Sequence, residues 1–318
     1  MEYLPWVEKY RPTKIDEIIS HDQNIKAIKK MLIGNSLPHL LFHGMPGTGK
    51  TSLILAIANE LYGHQKNLMM LKLDASDDRG INSVREEIKN FAEKSNMFCG
   101  GVKLIILDEA DSMTCDAQSA LRRIIEKYSI TTRFCLICNY ENKIIPAIRS
   151  RCANFRFCPI NTIYIKEKLQ NICNNENITL EKNVLDTISL LAKGDLRKSI
   201  NFLQSLSLQS NYITNELCYK TAGVPNNNEI NIILTTLLDN TISYDDTTIV
   251  MNSLIKSQGY SLSIVLKELL IFLLNKINEI PINKMANYLS DLSDLENKIA
   301  KSTFEDIYIS GLIGIFKK

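Results

Sequence analysis

Apolar and polar positions follow two regimes along the chain. Up to about residue 159, short apolar runs alternate with stretches of helical period. The runs Leu40–His43, Leu68–Leu73, Leu104–Leu107 and Phe134–Cys138 predict strands, and Ser52–Tyr62, Asn82–Lys94 and Asp116–Tyr128 predict helices between them. Strands alternating with helices build βαβ units, whose parallel sheet is covered on both faces. Gly and Pro gather in this half, in the Gly44–Gly49 loop, at Gly100-Gly101 and at Pro146. The predicted fold class for it is α/β.

Beyond Pro159 strand-like runs nearly vanish. Helical periods take over, with polar breaks at Asn174-Asn175, at Lys193-Gly194-Asp195 and at Val224-Pro225-Asn226-Asn227-Asn228. The last break predicts a domain boundary, because Pro and three Asn do not continue a helix. After it Leu262, Val265, Leu266, Leu269, Leu270 and Leu273 recur at helical spacing, as in a bundle of amphipathic helices. No internal repeat is visible.

Composition narrows the class. A chain of 318 residues holds two or three domains at about 150 residues each. With 45% hydrophobic and 23% charged residues, gross disorder is excluded. The net charge of +2 excludes a histone-like polycation. The charge is uneven: residues 1–160 carry 22 Lys and Arg against 18 Asp and Glu, whereas residues 161–318 carry 15 against 17. A polyanionic partner is expected to meet the first half. The eight cysteines run from Cys99 to Cys218, and the opening Met1-Glu2-Tyr3-Leu4-Pro5-Trp6, followed by Glu8 and Lys9, matches no secretory leader. Reduced thiols in an intracellular protein are the expectation. The apolar run Leu269–Leu274 is too short to span a bilayer, so no membrane segment is expected.

The strongest chemical signal is Gly44-Met45-Pro46-Gly47-Thr48-Gly49-Lys50-Thr51, which fits G-x-x-x-x-G-K-[ST] between a predicted strand and a predicted helix. Such a loop turns several backbone N–H groups toward a phosphate, and the helix N-terminus adds positive potential. Lys50 is placed to reach β- and γ-phosphates, and the Thr51 hydroxyl to ligate Mg²⁺. The second signal is an apolar strand ending in acids, Leu104-Ile105-Ile106-Leu107-Asp108-Glu109-Ala110-Asp111. In this Walker B arrangement Asp108 holds Mg²⁺, mostly through water, and Glu109 orients and deprotonates the attacking water. Asn139, at the tip of the strand predicted beside it, is a candidate to position that water, although capping the next turn is the commoner role of such an Asn. Arg151 in Ser150-Arg151-Cys152 and Arg197 in Gly194-Asp195-Leu196-Arg197 are otherwise ordinary surface arginines, and spacing alone gives them no more. Cys135, Cys138, Cys152 and Cys158 imitate a zinc spacing, but Cys135 and Cys138 point to opposite faces of one strand and read as buried thiols. His21, His39, His43 and His64 show neither ligand nor triad spacing.

These motifs in this order resemble the AAA+ ATPases, and more closely the small subunits of replication factor C, the eukaryotic and archaeal clamp loader. The resemblance also rests on Trp6-Val7-Glu8-Lys9-Tyr10-Arg11-Pro12, on Asp74-Ala75-Ser76-Asp77-Asp78-Arg79-Gly80-Ile81, on Ala110–Thr114 with Gln118 and Ala120-Leu121-Arg122-Arg123, and on Arg133–Tyr140 with Lys143–Pro146. It is dense over residues 3–225. Met45 stands where Pro is usual and Asp74 where Asn is usual, and neither change removes a phosphate or metal contact.

The resemblance implies a RecA-like ATPase domain over residues 1–159, a helical lid over 160–224 and an all-α collar over 225–318 that assembles a five-subunit ring. Its ligands would be ATP and Mg²⁺, cradled by Gly44, Met45, Pro46, Gly47, Thr48, Gly49, Lys50, Thr51 and Ser52. Val7, Arg11 and Ile19 would line an adenine pocket. Arg197 would touch the γ-phosphate of its own subunit, and Arg151 would enter a neighbour's site in trans. Partners would be other replication factor C subunits, the sliding clamp PCNA and primer–template DNA, in the nucleus. Arg79, Arg85 and Lys89, on the helix starting near Ile81, are the candidate phosphate contacts, against the plainer reading of a solvated charged face. Two alternatives compete: a nucleic-acid motor, since Asp108–Asp111 also spells a helicase tetrad, and a ring subunit that binds ATP without turnover. The first lacks further helicase motifs, and the intact Lys50, Asp108 and Glu109 oppose the second.

Overall fold

The computed structural model describes residues 4–18, 20–34, 37–75, 81–94, 101–239, 241–276, 281–305 and 307–317, with residues 81–85 by backbone alone. It divides into two compact units, Met1–Ile178 with Leu185–Asn211, and Thr179–Val184 with Tyr212–Lys318.

In the first unit α1 (Trp6–Lys9) and α2 (Asp22–Ile33) precede β1 (His39–Gly44). Four crossovers follow. They are α3 (Lys50–Tyr62) with the single turn α4 (Lys66–Met69) to β2 (Met70–Asp74), α5 (Ile81–Glu93) to β3 (Lys103–Asp108), α6 (Cys115–Lys127) to β4 (Thr132–Cys138), and α7 (Pro146–Arg149) to β5 (Cys152–Phe157). The five strands are parallel in the order β2-β3-β4-β1-β5. Side chains alternate between two cores, as the pleat requires. Leu40, Phe42, Leu104, Ile106 and Cys135 pack with Leu53, Ile54 and Ile57 of α3, whereas Leu41, Ile105, Leu107, Phe134, Leu136 and Cys138 pack with Leu121 and Ile125 of α6. Cys135 and Cys138 thus belong to opposite layers, and burial pushes both thiols up, that of Cys138 to about 12.

The fold departs from the expected pattern at three places. Cys152–Phe157 is a fifth strand that was not predicted; it has one neighbour, β1, and alternates Phe155 and Phe157 inward with Asn154 and Arg156 outward. Leu68 belongs to α4 and is exposed, so that strand starts at Met70. Asn174 and Asn175 lie inside α8 (Thr162–Glu176), which ends at Asn177 in the left-handed conformation that Asn tolerates. The chain continues through α9 (Val184–Ala192) and α10 (Leu196–Ser207).

The second unit holds the short parallel pair β6 (Thr179–Leu180) and β7 (Tyr212–Ile213), then α11 (Asn215–Ala222), α12 (Asn227–Leu238), α13 (Tyr244–Gln258), α14 (Leu262–Asn275), α15 (Ile282–Ile299) and α16 (Ile307–Phe316). Asn226 opens α12 through a reciprocal capping box with Glu229. The apolar faces of α12–α16 share one core that includes Leu266, Leu269, Leu273, Leu292 and Leu312. Among the described residues no single helix is long and apolar enough to cross a membrane.

His39, at the start of β1, accepts the Phe134 N–H at Nδ1 (3.2 Å), and burial next to Arg133 pushes its imidazole down from 6.5 to about 4. Between those values the unfolded chain binds the extra proton and the folded chain does not, so this contribution to stability falls as pH drops from 6.5 toward 4. Denaturant unfolding at stepped pH is expected to show that loss, and His39→Gln, which cannot titrate, to flatten it.

Candidate functional site

The loops at the carboxyl ends of β1, β3 and β4 meet at one edge of the sheet, where parallel α/β folds place their ligands. A cleft of about 340 Å³ opens there. The loop from Met45 to Gly49 leads from β1 into α3, whose first turn, Lys50-Thr51-Ser52, faces the cleft.

Gly44 and Gly47 are glycines for reasons of space. A Cβ on Gly44 (φ +143°) would stand 2.1 Å from the carbonyl oxygen of Phe157 on β5. One on Gly47 (φ +68°) would stand 1.7 Å from Asp195 Oδ1. Asp195 caps α10 by accepting the Lys198 N–H (2.9 Å), and the Leu196 N–H donates to the Gly47 carbonyl (3.2 Å). The first turn of α10 is therefore fastened to the crest of the loop, and Arg197 lines the cleft.

Lys50 is buried, with 7% of its surface exposed. Its ammonium donates to the carbonyls of Gly44 (2.7 Å) and Met45 (2.8 Å) and to Asn139 Oδ1 (3.2 Å). Burial pushes its pKa below the ordinary lysine value, with Cys138 and Asp108 opposing. The Thr51 hydroxyl donates to Asp108 Oδ2 (3.1 Å). Glu109 is exposed, with left-handed backbone (φ +53°), and opens the short turn Ala110–Ser112. Asp111 accepts the N–H groups of Asn139 and Tyr140 (both 3.3 Å) and so fixes the turn that presents Asn139. The last acid of the helicase-like tetrad is committed to that structural task.

The N-terminal segment reaches the cleft through Val7, Tyr10, Arg11 and Pro12. It is tied to helices far along the chain: Lys9 Nζ (2.6 Å) and the Tyr10 hydroxyl (2.5 Å) both donate to Glu176 of α8, and the Trp6 N–H donates to Gln204 of α10 (3.1 Å). Arg11 pairs with Glu8.

Most of the residues singled out from the sequence therefore line one cleft, namely Val7, Arg11, Pro46 through Ser52, Asp108, Glu109, Asn139 and Arg197. Gly44 and Met45 do not line it but hold Lys50 through their carbonyls. Arg151 is not brought there. It lies exposed just after α7, donating to the Ala147 carbonyl (2.6 Å) and pairing with Glu126 (2.6 Å). Lys89 is exposed on α5 and does not line the cleft. Ile19 and Arg79 lie outside the described residues, as does the side chain of Arg85. Lys168, Glu17 and Ile200 also line the cleft without having been singled out. Lys168 sits in α8 with no motif around it, and only the folded chain carries it there.

Residues 40–160 match the family model of the ATPase family associated with various cellular activities (AAA), residues 167–208 that of the RCF1/5-like AAA+ ATPase lid domain, and residues 225–314 that of the replication factor C C-terminal domain. The probable replication factor C subunit 5 of Dictyostelium discoideum is 45% identical, over 99% of this chain and 91% of its own. Replication factor C subunit 5 of Homo sapiens is 41% identical, over 99% and 92% respectively. Replication factor C subunit 3 of Saccharomyces cerevisiae is 39% identical, over 99% and 94%. Among solved structures, the Thermotoga maritima RuvB Holliday junction branch migration motor superposes with a TM-score of 0.53 at 17% identity, over 82% of this chain and 90% of that one, a likeness of fold alone.

The clash at Gly47 generates a test by coupling. Gly47→Ala is expected to destabilise by about 1–2 kcal/mol from backbone conformation alone, and further by displacing Asp195. Asp195→Ala alone costs about 1 kcal/mol of helix cap. Because the three atoms nearest the added methyl all belong to the Asp195 side chain, the double variant should lose less than the two singles together in denaturant unfolding.

Proposed function

Because the chain belongs to the replication factor C family of AAA+ ATPases, we propose that it binds and hydrolyses ATP as one subunit of a clamp loader, which opens the sliding clamp PCNA and loads it at primer–template junctions in DNA replication and repair. The observation that carries the reading is the joining of Lys50, Thr51, Asp108 and Asn139 by hydrogen bonds at the floor of one cleft whose wall is the first turn of α10.

The domains are read as an ATPase domain over residues 1–159, a lid over 160–224 and a collar over 225–318. Val7, Arg11 and Ile19 take the adenine. The loop from Gly44 to Gly49 and the first turn of α3 take the phosphates, and Lys50 exchanges its carbonyl partners for phosphate oxygens. Thr51 and Asp108 offer a hydroxyl and a carboxylate 3.1 Å apart, hard oxygen donors of the kind Mg²⁺ takes, and would hold it. When bound, Mg²⁺ neutralises charge on the β- and γ-phosphates. Glu109, whose carboxylate is exposed beside Asp108, accepts the proton of the attacking water, and Asn139 orients that water. Arg197 reaches the γ-phosphate from the lid.

Arg151 acts on the neighbouring subunit. Its exposure away from its own cleft supports this, since a residue serving its own nucleotide would line the pocket. Partners follow from the family: the other replication factor C subunits in a five-membered ring, the clamp, and primed DNA whose backbone phosphates meet Arg79, Arg85 and Lys89. The nucleus is the corresponding compartment.

The complex of this chain with its partner subunits is expected to show ATPase activity stimulated by primed DNA together with the clamp. Absence of stimulation would overturn the reading. Lys50→Ala should abolish nucleotide binding at this chain's own site, as read by fluorescent ATP. Arg151→Ala should leave that binding within about twofold and slow the neighbour's hydrolysis by about 10³-fold or more, the range for an arginine finger. Loss of this chain's own binding, with the neighbour unaffected, would reverse the assignment.

A further inference from the structure

Glu126 lies in the last turn of α6, outside the cleft and outside every motif considered so far. Two cations converge on one of its oxygens: Arg151 Nη2 at 2.6 Å and Arg122 Nε at 3.7 Å. Arg122 Nε is buried and has no hydrogen-bond partner among the described residues, so this carboxylate is its compensation. On the other side Arg151 Nη1 donates to the Ala147 carbonyl (2.6 Å) and reaches the Ser150 hydroxyl (3.5 Å).

A guanidinium carries five N–H groups in a rigid plane. In Arg151 the Nη1 group is engaged by Ala147 and Ser150 and the Nη2 group by Glu126. The Nε–H and the second Nη2–H meet no acceptor among the described residues. An Nε–H together with the Nη2–H beside it forms the fork that matches two oxygens of a phosphate. The side chain is thus held through Nη1 and Nη2, and the edge that carries the unengaged Nε–H is its free edge.

We infer that Glu126 is a positioning residue for Arg151: its carboxylate holds the guanidinium plane and offsets the charge of Arg122, so that the free edge is aimed at the phosphates of a neighbouring subunit. The inference rests on the assignment of Arg151 to a neighbour's site. Without the carboxylate two guanidinium groups are left side by side with no shared anion. Arg151 then swings into solvent and must be reordered in each transition state, and misplacement of a catalytic group is costly in rate.

The test is made in the assembled complex. Glu126→Ala is expected to lower kcat at the neighbour's site by about tenfold with KM for ATP unchanged, part of what the arginine itself supplies. Glu126→Gln keeps an oxygen acceptor without the charge and should fall between. This chain's own ATP binding should stay as in the parent, with thermal melting still one cooperative step and lowered only by the loss of Arg122's counter-charge, which a general folding defect would not allow. In the Arg151→Ala background Glu126→Ala should add nothing. An unchanged kcat in Glu126→Ala, beside a slowed Arg151→Ala, overturns the inference. So does an equal slowing by Glu126→Ala when Arg151 is already gone. If Arg151→Ala itself leaves the neighbour's hydrolysis intact, the trans assignment fails, and the inference with it.

Discussion

A buried ammonium dictates the arrangement of this site. Lys50 sits at the first position of α3, where the helix already gathers positive potential, and burial there is tolerated only because two loop carbonyls and the Asn139 amide oxygen accept its hydrogens. Satisfying that one group fixes the curl of the loop from β1 and ties it to the end of β4. Asp111 secures the same turn of β4 from beneath, and Thr51 joins the end of β3 through Asp108. Three strand ends are held in register by the needs of one cation and its neighbour. A triphosphate offers that cation better acceptors than neutral carbonyls do, so the resting site is already shaped around the exchange.

The cleft is completed by segments remote in sequence. The N-terminal stretch is pinned by Glu176 and Gln204, more than 160 residues away, and brings Val7 and Arg11 to the lining of the cleft. The bonds to Glu176 are charge-assisted, but Lys9 is 43% exposed and Glu176 20%, so the ion pair among them is a surface interaction of modest strength. The pocket assigned to the base is therefore a product of how α8 and α10 pack, and no local pattern near Val7 specifies it.

What the sequence discloses follows the same division. The loop, the paired acids and the strand ending at Asn139 are legible because their chemistry is local: each is a run of neighbouring residues on one strand end. The central strands are legible because both faces are covered, which makes them continuously apolar. Strand β5 is not, since an edge strand half open to solvent carries Asn154 and Arg156 among its aromatics and does not stand out. The break expected at Asn174-Asn175 fell inside a helix because polar residues on an exposed helical face are indistinguishable from a loop until the cap at Asn177 is seen. Lys168 and Glu126 are invisible in principle, for their neighbours come from elsewhere in the chain.

Gly44 and Gly47 belong to one motif but are constrained by different parts of the protein, the first by the backbone of β5 and the second by the cap of α10. The loop is clipped to the sheet at its root and to a helix at its crest. Because the Leu196 N–H holds the Gly47 carbonyl, the crest and the first turn of α10 are joined, and a shift of either is passed to the other.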